Sequence, residues 1–201
     1  PVLKIDDFWD EVTEEYTLTI EQNTRATPLQ VEKKPFHIPI LTGFLAADNQ
    51  SITSDYQRIG DNFLLELTEE KQHFVFSGFK EQPIVSLLRN FSAPVKLDSF
   101  YSRDQLTLLM GSDDDLFNRC DAAFSLGALI VLELAVGLKN NKTLKLPETY
   151  VESFRKNLVH TGLDKSLIAL ALTLPTESYL AQSMDKVEPD FLHRSHQFVK
   201  K

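Results

Sequence analysis

Two hydrophobic periods divide the chain, and one gives way to the other between positions 91 and 123. Before that stretch apolar and polar residues alternate, and turn residues recur roughly every eight to twelve positions, as in an all-β sandwich or barrel. Tyr16, Leu18 and Ile20 alternate with Thr17, Thr19 and Glu21, which predicts a strand with one wet face. Residues 2–5 predict a shorter strand, with Asp6, Asp7 and Asp10 forming an acidic turn around Phe8 and Trp9. Phe36, Ile38 and Ile40 alternate with His37 and Pro39; Pro39 cannot donate to a ladder, so this strand is expected at an edge or a bulge. Asp48, Asn49 and Gln50 predict the turn of a hairpin between Phe44/Leu45 and Ile52. Further strands are predicted at 63–67, 74–76, 84–88 and 95–97, about the density of an immunoglobulin-like sandwich.

After the changeover the apolar spacing becomes that of helices. Ser102 and Gln105 have the spacing of a capping box, predicting a helix with Leu106, Leu109 and Met110 on one face and a stop at a left-handed Gly111. Ser112, Asp113, Asp114 and Asp115 follow where caps and first-turn acids belong. As a calcium loop the run lacks spaced ligands and a closing Glu. Between 122 and 138 the only charge is Glu133, which predicts a helix central to its bundle; that run falls short of the ~20 residues a bilayer span needs. Pro147 opens a third helix, with Tyr150, Val151, Phe154 and Leu158 on its stripe and Gly162 at its end. Asp164 caps a fourth, carrying Leu167, Ile168, Leu170 and Ala171, which Pro175 stops. Thr176 opens a fifth with Tyr179, Leu180 and Met184, and Pro189 a sixth with Phe191, Leu192, Phe198 and Val199. The reading is β then α in two units: an immunoglobulin-like β-sandwich over 1–101, then over 102–201 the first helices of an α-helical array.

Composition adds that the chain can bury a core, with 42% hydrophobic residues. The net charge of −8 is uneven: residues 1–101 hold 9 basic and 16 acidic groups, and 102–201 hold 12 and 13. Such a surface repels phosphate backbones and anionic lipid, so neither nucleic acid nor membrane is an expected partner. The single cysteine, Cys120, cannot form an internal disulfide, which suits a reducing cytoplasm. No basic region followed by an apolar run opens the chain. It starts at Pro1, directly in strand-like sequence, and is expected to be cut from something longer.

Candidate chemistry is sparse. None of His37, His73, His160, His193 and His196 begins an H-E-x-x-H pattern, which would put two zinc ligands on one helix face. His193 and His196 could touch one metal, but no carboxylate or third histidine stands at a matching spacing, so they read as polar residues on the outer face of a terminal helix. Arg119 beside Cys120 could lower a thiol pKa, yet Leu116, Phe117, Ala123 and Phe124 put Cys120 on or beside the buried stripe, as a packing residue. Glu133, an acid on an apolar helix, is expected to be paired or at the rim, with a structural role. No Gly-rich phosphate loop and no G-x-S-x-G elbow is present. No catalytic, cofactor-binding or metal-binding residue is assigned.

The stretches EYTLTIEQNTRATPLQVEKKPFHIPI (15–40), FSAPVKL (91–97), DQLTLLM (104–110), FNRCDAAFSL (117–126) and LTLP (172–175) resemble the bacterial aminopeptidase N (alanyl aminopeptidase) family of zinc metallopeptidases. The resemblance implies a small β-sandwich that follows a thermolysin-like catalytic domain and precedes a large helical domain covering the active site. The family's H-E-x-x-H helix with its downstream Glu, its G-A-M-E-N segment and its transition-state Tyr have no matching positions here. No catalytic residue is therefore carried over, and zinc is expected only in the parent enzyme, which acts on peptides in the bacterial cytoplasm. The expected partners are the parent's catalytic domain and the rest of its helical domain. A truncated array would leave apolar surface near Tyr179, Phe191, Leu192 and Phe198. The alternative is a freestanding interaction module that uses a strand edge or a helical groove.

Overall fold

Alternation becomes strand even where the sequence is acidic. β1 (Val2–Asp10) and β2 (Glu15–Asn23) pair antiparallel from Val2 opposite Asn23 to Asp10 opposite Glu15. The expected turn at Asp6, Asp7 and Asp10 is therefore strand, and the chain reverses after Asp10. The reason is the pleat: Asp6 and Phe8 point outward, and the Tyr16 hydroxyl donates to Asp7 Oδ2 at 2.9 Å. The computed structural model describes residues 1–28, 30, 32–45, 51–98, 100–160, 164–184 and 186–201. It packs as two units, Pro1–Tyr101 and Ser102–Lys201.

The first unit also contains β3 (Ile38–Leu45), β4 (Gln57–Ile59), β5 (Asn62–Leu67), β6 (Lys71–Ser77), β7 (Ile84–Ser86) and β8 (Lys96–Leu97). They form two four-stranded sheets ordered β6-β2-β1-β8 and β4-β5-β3-β7, an immunoglobulin-like sandwich. Tyr16, Leu18 and Ile20 are fully buried, and Phe44 packs edge-on to Phe76 and Phe79 with ring centroids 4.9 Å apart in each pair. Two expectations need correction. β3 is an inner strand of its sheet, despite Pro39. Pro39 is tolerated because β7 pairs only from Gly43 onward, so at Pro39 one side of β3 has no strand neighbour among the described residues to receive a donor. The hairpin expected after Leu45 is not formed: β3 pairs with β5 and β7, and Thr53 bridges to Ser77. The Asp48-Asn49-Gln50 turn itself lies outside the described residues.

The second unit contains α1 (Arg103–Ser112), α2 (Leu116–Lys139), α3 (Glu148–Val159), α4 (Lys165–Ala171), α5 (Glu177–Ala181) and α6 (Pro189–Lys200). The capping box is present, with Ser102 Oγ accepting from Gln105 N and Gln105 Oε1 accepting from Ser102 N at 2.8 Å. Gly111 does not stop α1. It lies inside the helix, where a Cβ would come 3.2 Å from Ser153 Oγ, so the close approach of α3 is what requires it. Asp115, Asp164 and Thr176 cap α2, α4 and α5 through their side chains. The Gly162 stop lies outside the described residues.

α2 runs 24 residues, longer than the apolar core of its sequence, and by length and composition could cross a bilayer, so the length argument against a span fails. It nevertheless buries Asn118 and Arg119 in a polar seam, the arrangement of a helix at the centre of a bundle. The seam also corrects the predicted stripe of α3. Its buried residues are Tyr150, Ser153 and Asn157, whereas Leu158 is 59% exposed. Asn157 Nδ2 donates to the Met110 and Ser153 carbonyls, both at 2.9 Å, and Ser153 Oγ donates to the Thr107 carbonyl at 3.1 Å. Arg119 Nε donates to the Asp113 carbonyl at 2.9 Å, and its Nη1 donates to Asn157 Oδ1 at 3.4 Å. Helix ends leave carbonyls unpaired, and Asn157 satisfies one of them at the end of α1. The predicted apolar exposure is met at Tyr179, which is exposed, but not at Leu192, which is 3% exposed and packed with Val131 and Leu180, while Val159 and Leu170 are among the most exposed apolar residues.

Candidate functional site

Glu133 sits on α2 and meets Arg103, from the first turn of α1, in an ion pair that is roughly half exposed. The acid is thus paired and at a rim, and the pair holds the guanidinium further above its ordinary range. An ion pair so open contributes on the order of 0–1 kcal/mol. It walls a cleft of about 310 Å³ that is also lined by Ile130, Lys142, Lys145 and Pro147. The irregular stretch between α2 and α3 supplies the two lysines. In the sequence they stand out only as basic residues after the helix end.

Cys120 is half-buried and its Sγ–H points to the Leu167 carbonyl at 3.3 Å. Burial pushes the thiol up, against the pull of neighbouring Arg119, which disfavours the thiolate a nucleophile needs.

His193 and His196 do meet a carboxylate, one supplied by another helix. Glu177 Oε1, on α5, lies 3.0 Å from His193 Nδ1 and 3.5 Å from His196 Nδ1. His196 Nε2 is 3.0 Å from the Pro175 carbonyl and donates to it, since a carbonyl only accepts. The arrangement straps α6 to α5. Sequence spacing could not reveal it, because Glu177 lies 16 positions from His193 and is brought there by helix packing. His37 meets Glu66 at 3.1 Å and His73 meets Thr19 at 2.9 Å, both exposed, and His160 is exposed beyond the end of α3. Among the described residues no group of three or more His, Cys, Asp or Glu is arranged to hold a metal.

Comparison with known proteins places these units. Residues 1–100 match a domain of unknown function (DUF3458) with an Ig-like fold, and residues 103–201 match DUF3458_C, described as ARM repeats. Aminopeptidase N of Escherichia coli (strain K12) is 38% identical over 94% of this chain and 22% of its own length. Aminopeptidase N of Haemophilus influenzae is 35% identical over 99% of this chain and 23% of its own length. Among solved structures, Legionella pneumophila aminopeptidase A in complex with aspartic acid matches 99% of this chain and 21% of that one, with a TM-score of 0.76 and 29% identity. The chain spans about a fifth of the length of the curated relatives it matches. It belongs to the aminopeptidase N family, as a segment of the larger enzyme that pairs an Ig-like sandwich with an ARM-repeat helical domain.

Proposed function

We propose that this chain is the non-catalytic part of a zinc-dependent aminopeptidase that releases N-terminal residues from peptides in the bacterial cytoplasm. In this reading it joins the catalytic domain to the helical domain and orients that domain as a cover over the active site. Its partners are those two parts of its own parent, zinc belongs to the catalytic domain, and peptides are met only through the whole enzyme. The observation that carries the reading is the coverage: 94% and 99% of this chain align with only 22% and 23% of two aminopeptidase N relatives. A hydrolytic zinc site needs three protein ligands and an open position for water, and a metal bound elsewhere in the parent supplies that chemistry.

The test is hydrolysis of an alanine-linked chromogenic substrate by the purified chain, with and without added zinc, together with the upstream reading frame. No turnover is expected, and an H-E-x-x-H segment is expected upstream. Turnover that co-purifies with the chain and disappears with a chelator would refute the reading, as would a start codon immediately before Pro1.

A further inference from the structure

We propose that the cleft between α1, α2 and the stretch leading into α3 binds a carboxylate carried on a small apolar group. Four charged side chains line it. Arg103 and Glu133 neutralise each other, while Lys142 and Lys145 have no ion pair among the described residues. Lys139, at the same end of α2, is already engaged by Glu188 at 2.8 Å. The cleft therefore carries two positive charges without a carboxylate partner among the described residues. Pro147 lines it as the N-cap of α3, whose first turn already carries Glu148, so the attraction for an anion rests on the two lysines. The remainder of the lining includes Leu134, Val136, Leu144 and the Pro147 ring, with Val136 57% exposed, so the body of the ligand meets apolar surface. At about 310 Å³ the space lies at the bottom of the roughly 300–1,000 Å³ range of ligand clefts, which selects a small ligand or the last residue of a longer one. Helix-end electrostatics explains Lys142, which follows the last carbonyls of α2; it does not explain Lys145, three residues further on and turned to the same cleft.

The probes are N-acetyl-leucine, its uncharged amide, and acetyl-Ala-Ala-Leu with a free carboxylate, each titrated into the full chain with amide shifts recorded by NMR. N-acetyl-leucine is expected to shift Ile130, Gly137, Lys142 and Lys145, with weaker binding at high salt, because exposed charges are screened. The amide is expected not to bind. K142A/K145A, which changes only exposed side chains, is expected to weaken binding at least about fivefold while the rest of the spectrum stays in place. Binding of the free acid alone assigns the cleft to small carboxylates, and binding of both acids extends it to peptide ends; either supports the proposal. Equal binding of acid and amide, equal binding by K142A/K145A, or shifts confined to other surfaces overturns it.

Discussion

Asn157→Ala tests the claim that the helical unit is locked by a polar seam as well as by its apolar stripes. Asn157 is fully buried and takes part in three hydrogen bonds, donating to the Met110 and Ser153 carbonyls and accepting from Arg119. Truncation leaves the Met110 carbonyl at the end of α1 and one Arg119 N–H facing a void. Each net hydrogen bond is worth about 1 kcal/mol, and each buried group left unpaired costs about 1–3 kcal/mol, so a total near 2–4 kcal/mol is expected. Leu158→Ala is the control, because the sequence pattern placed Leu158 on the buried stripe and the structure leaves it 59% exposed. Its cost should be below about 0.5 kcal/mol. The assay is urea unfolding of the full chain followed by far-ultraviolet circular dichroism at a wavelength dominated by helix, with a thermal melt as a second readout. A loss of 2 kcal/mol in a unit of this size lowers the midpoint by about 8 °C or more. If Leu158→Ala costs more than Asn157→Ala, or Asn157→Ala costs less than about 0.5 kcal/mol, the seam is not what holds α3 to α1.

Gly43→Ala should destabilise the sandwich by roughly 1–3 kcal/mol, read from its unfolding midpoint, because a Cβ there would meet Arg89 Nη1, which is buried and held by Asn62 Oδ1 at 2.5 Å. An unchanged midpoint would mean that Arg89 can move aside freely. Asp164 has its carboxyl lowered by the backbone N–H of Ser166, then by that of Leu167. A depressed carboxylate contributes stability above its unfolded pKa and loses it as pH falls through the folded one, so the protection factors of the Ser166 and Leu167 amides, referred to intrinsic exchange at each pH, should fall progressively below about pH 4. Asp164→Asn should flatten that dependence while keeping a cap, and an equally steep acid response in the variant would rule out this residue as its source.

Local chemistry alone marked most of the elements of this protein, though not the acidic end of β1 or the short β4. The two-residue alternation at Tyr16, Leu18 and Ile20 can bury one face only as a strand, and Ser102 with Gln105 can satisfy orphan helix donors only at a helix start. The aspartates at 115 and 164 and the proline at 189 act on their own few neighbours, so the six helices were legible without any knowledge of what they pack against. Pairing was not legible in the same way. Whether Pro39 lies at an edge depends on where β7 stops, Gly111 is required by a side chain 42 positions later on α3, and Ser153 and Asn157 look like surface residues until α1 supplies carbonyls for them. The candidate site divides along the same line. Glu133 stood out because a charge on an apolar helix must be paired or wet, but its partner Arg103, the lysines of the cleft and the Glu177 that joins His193 to His196 come from other elements. A hydrogen bond or ion pair between distant positions leaves no period in the sequence, since only the packed helices and sheets bring its two ends within about 3 Å of each other.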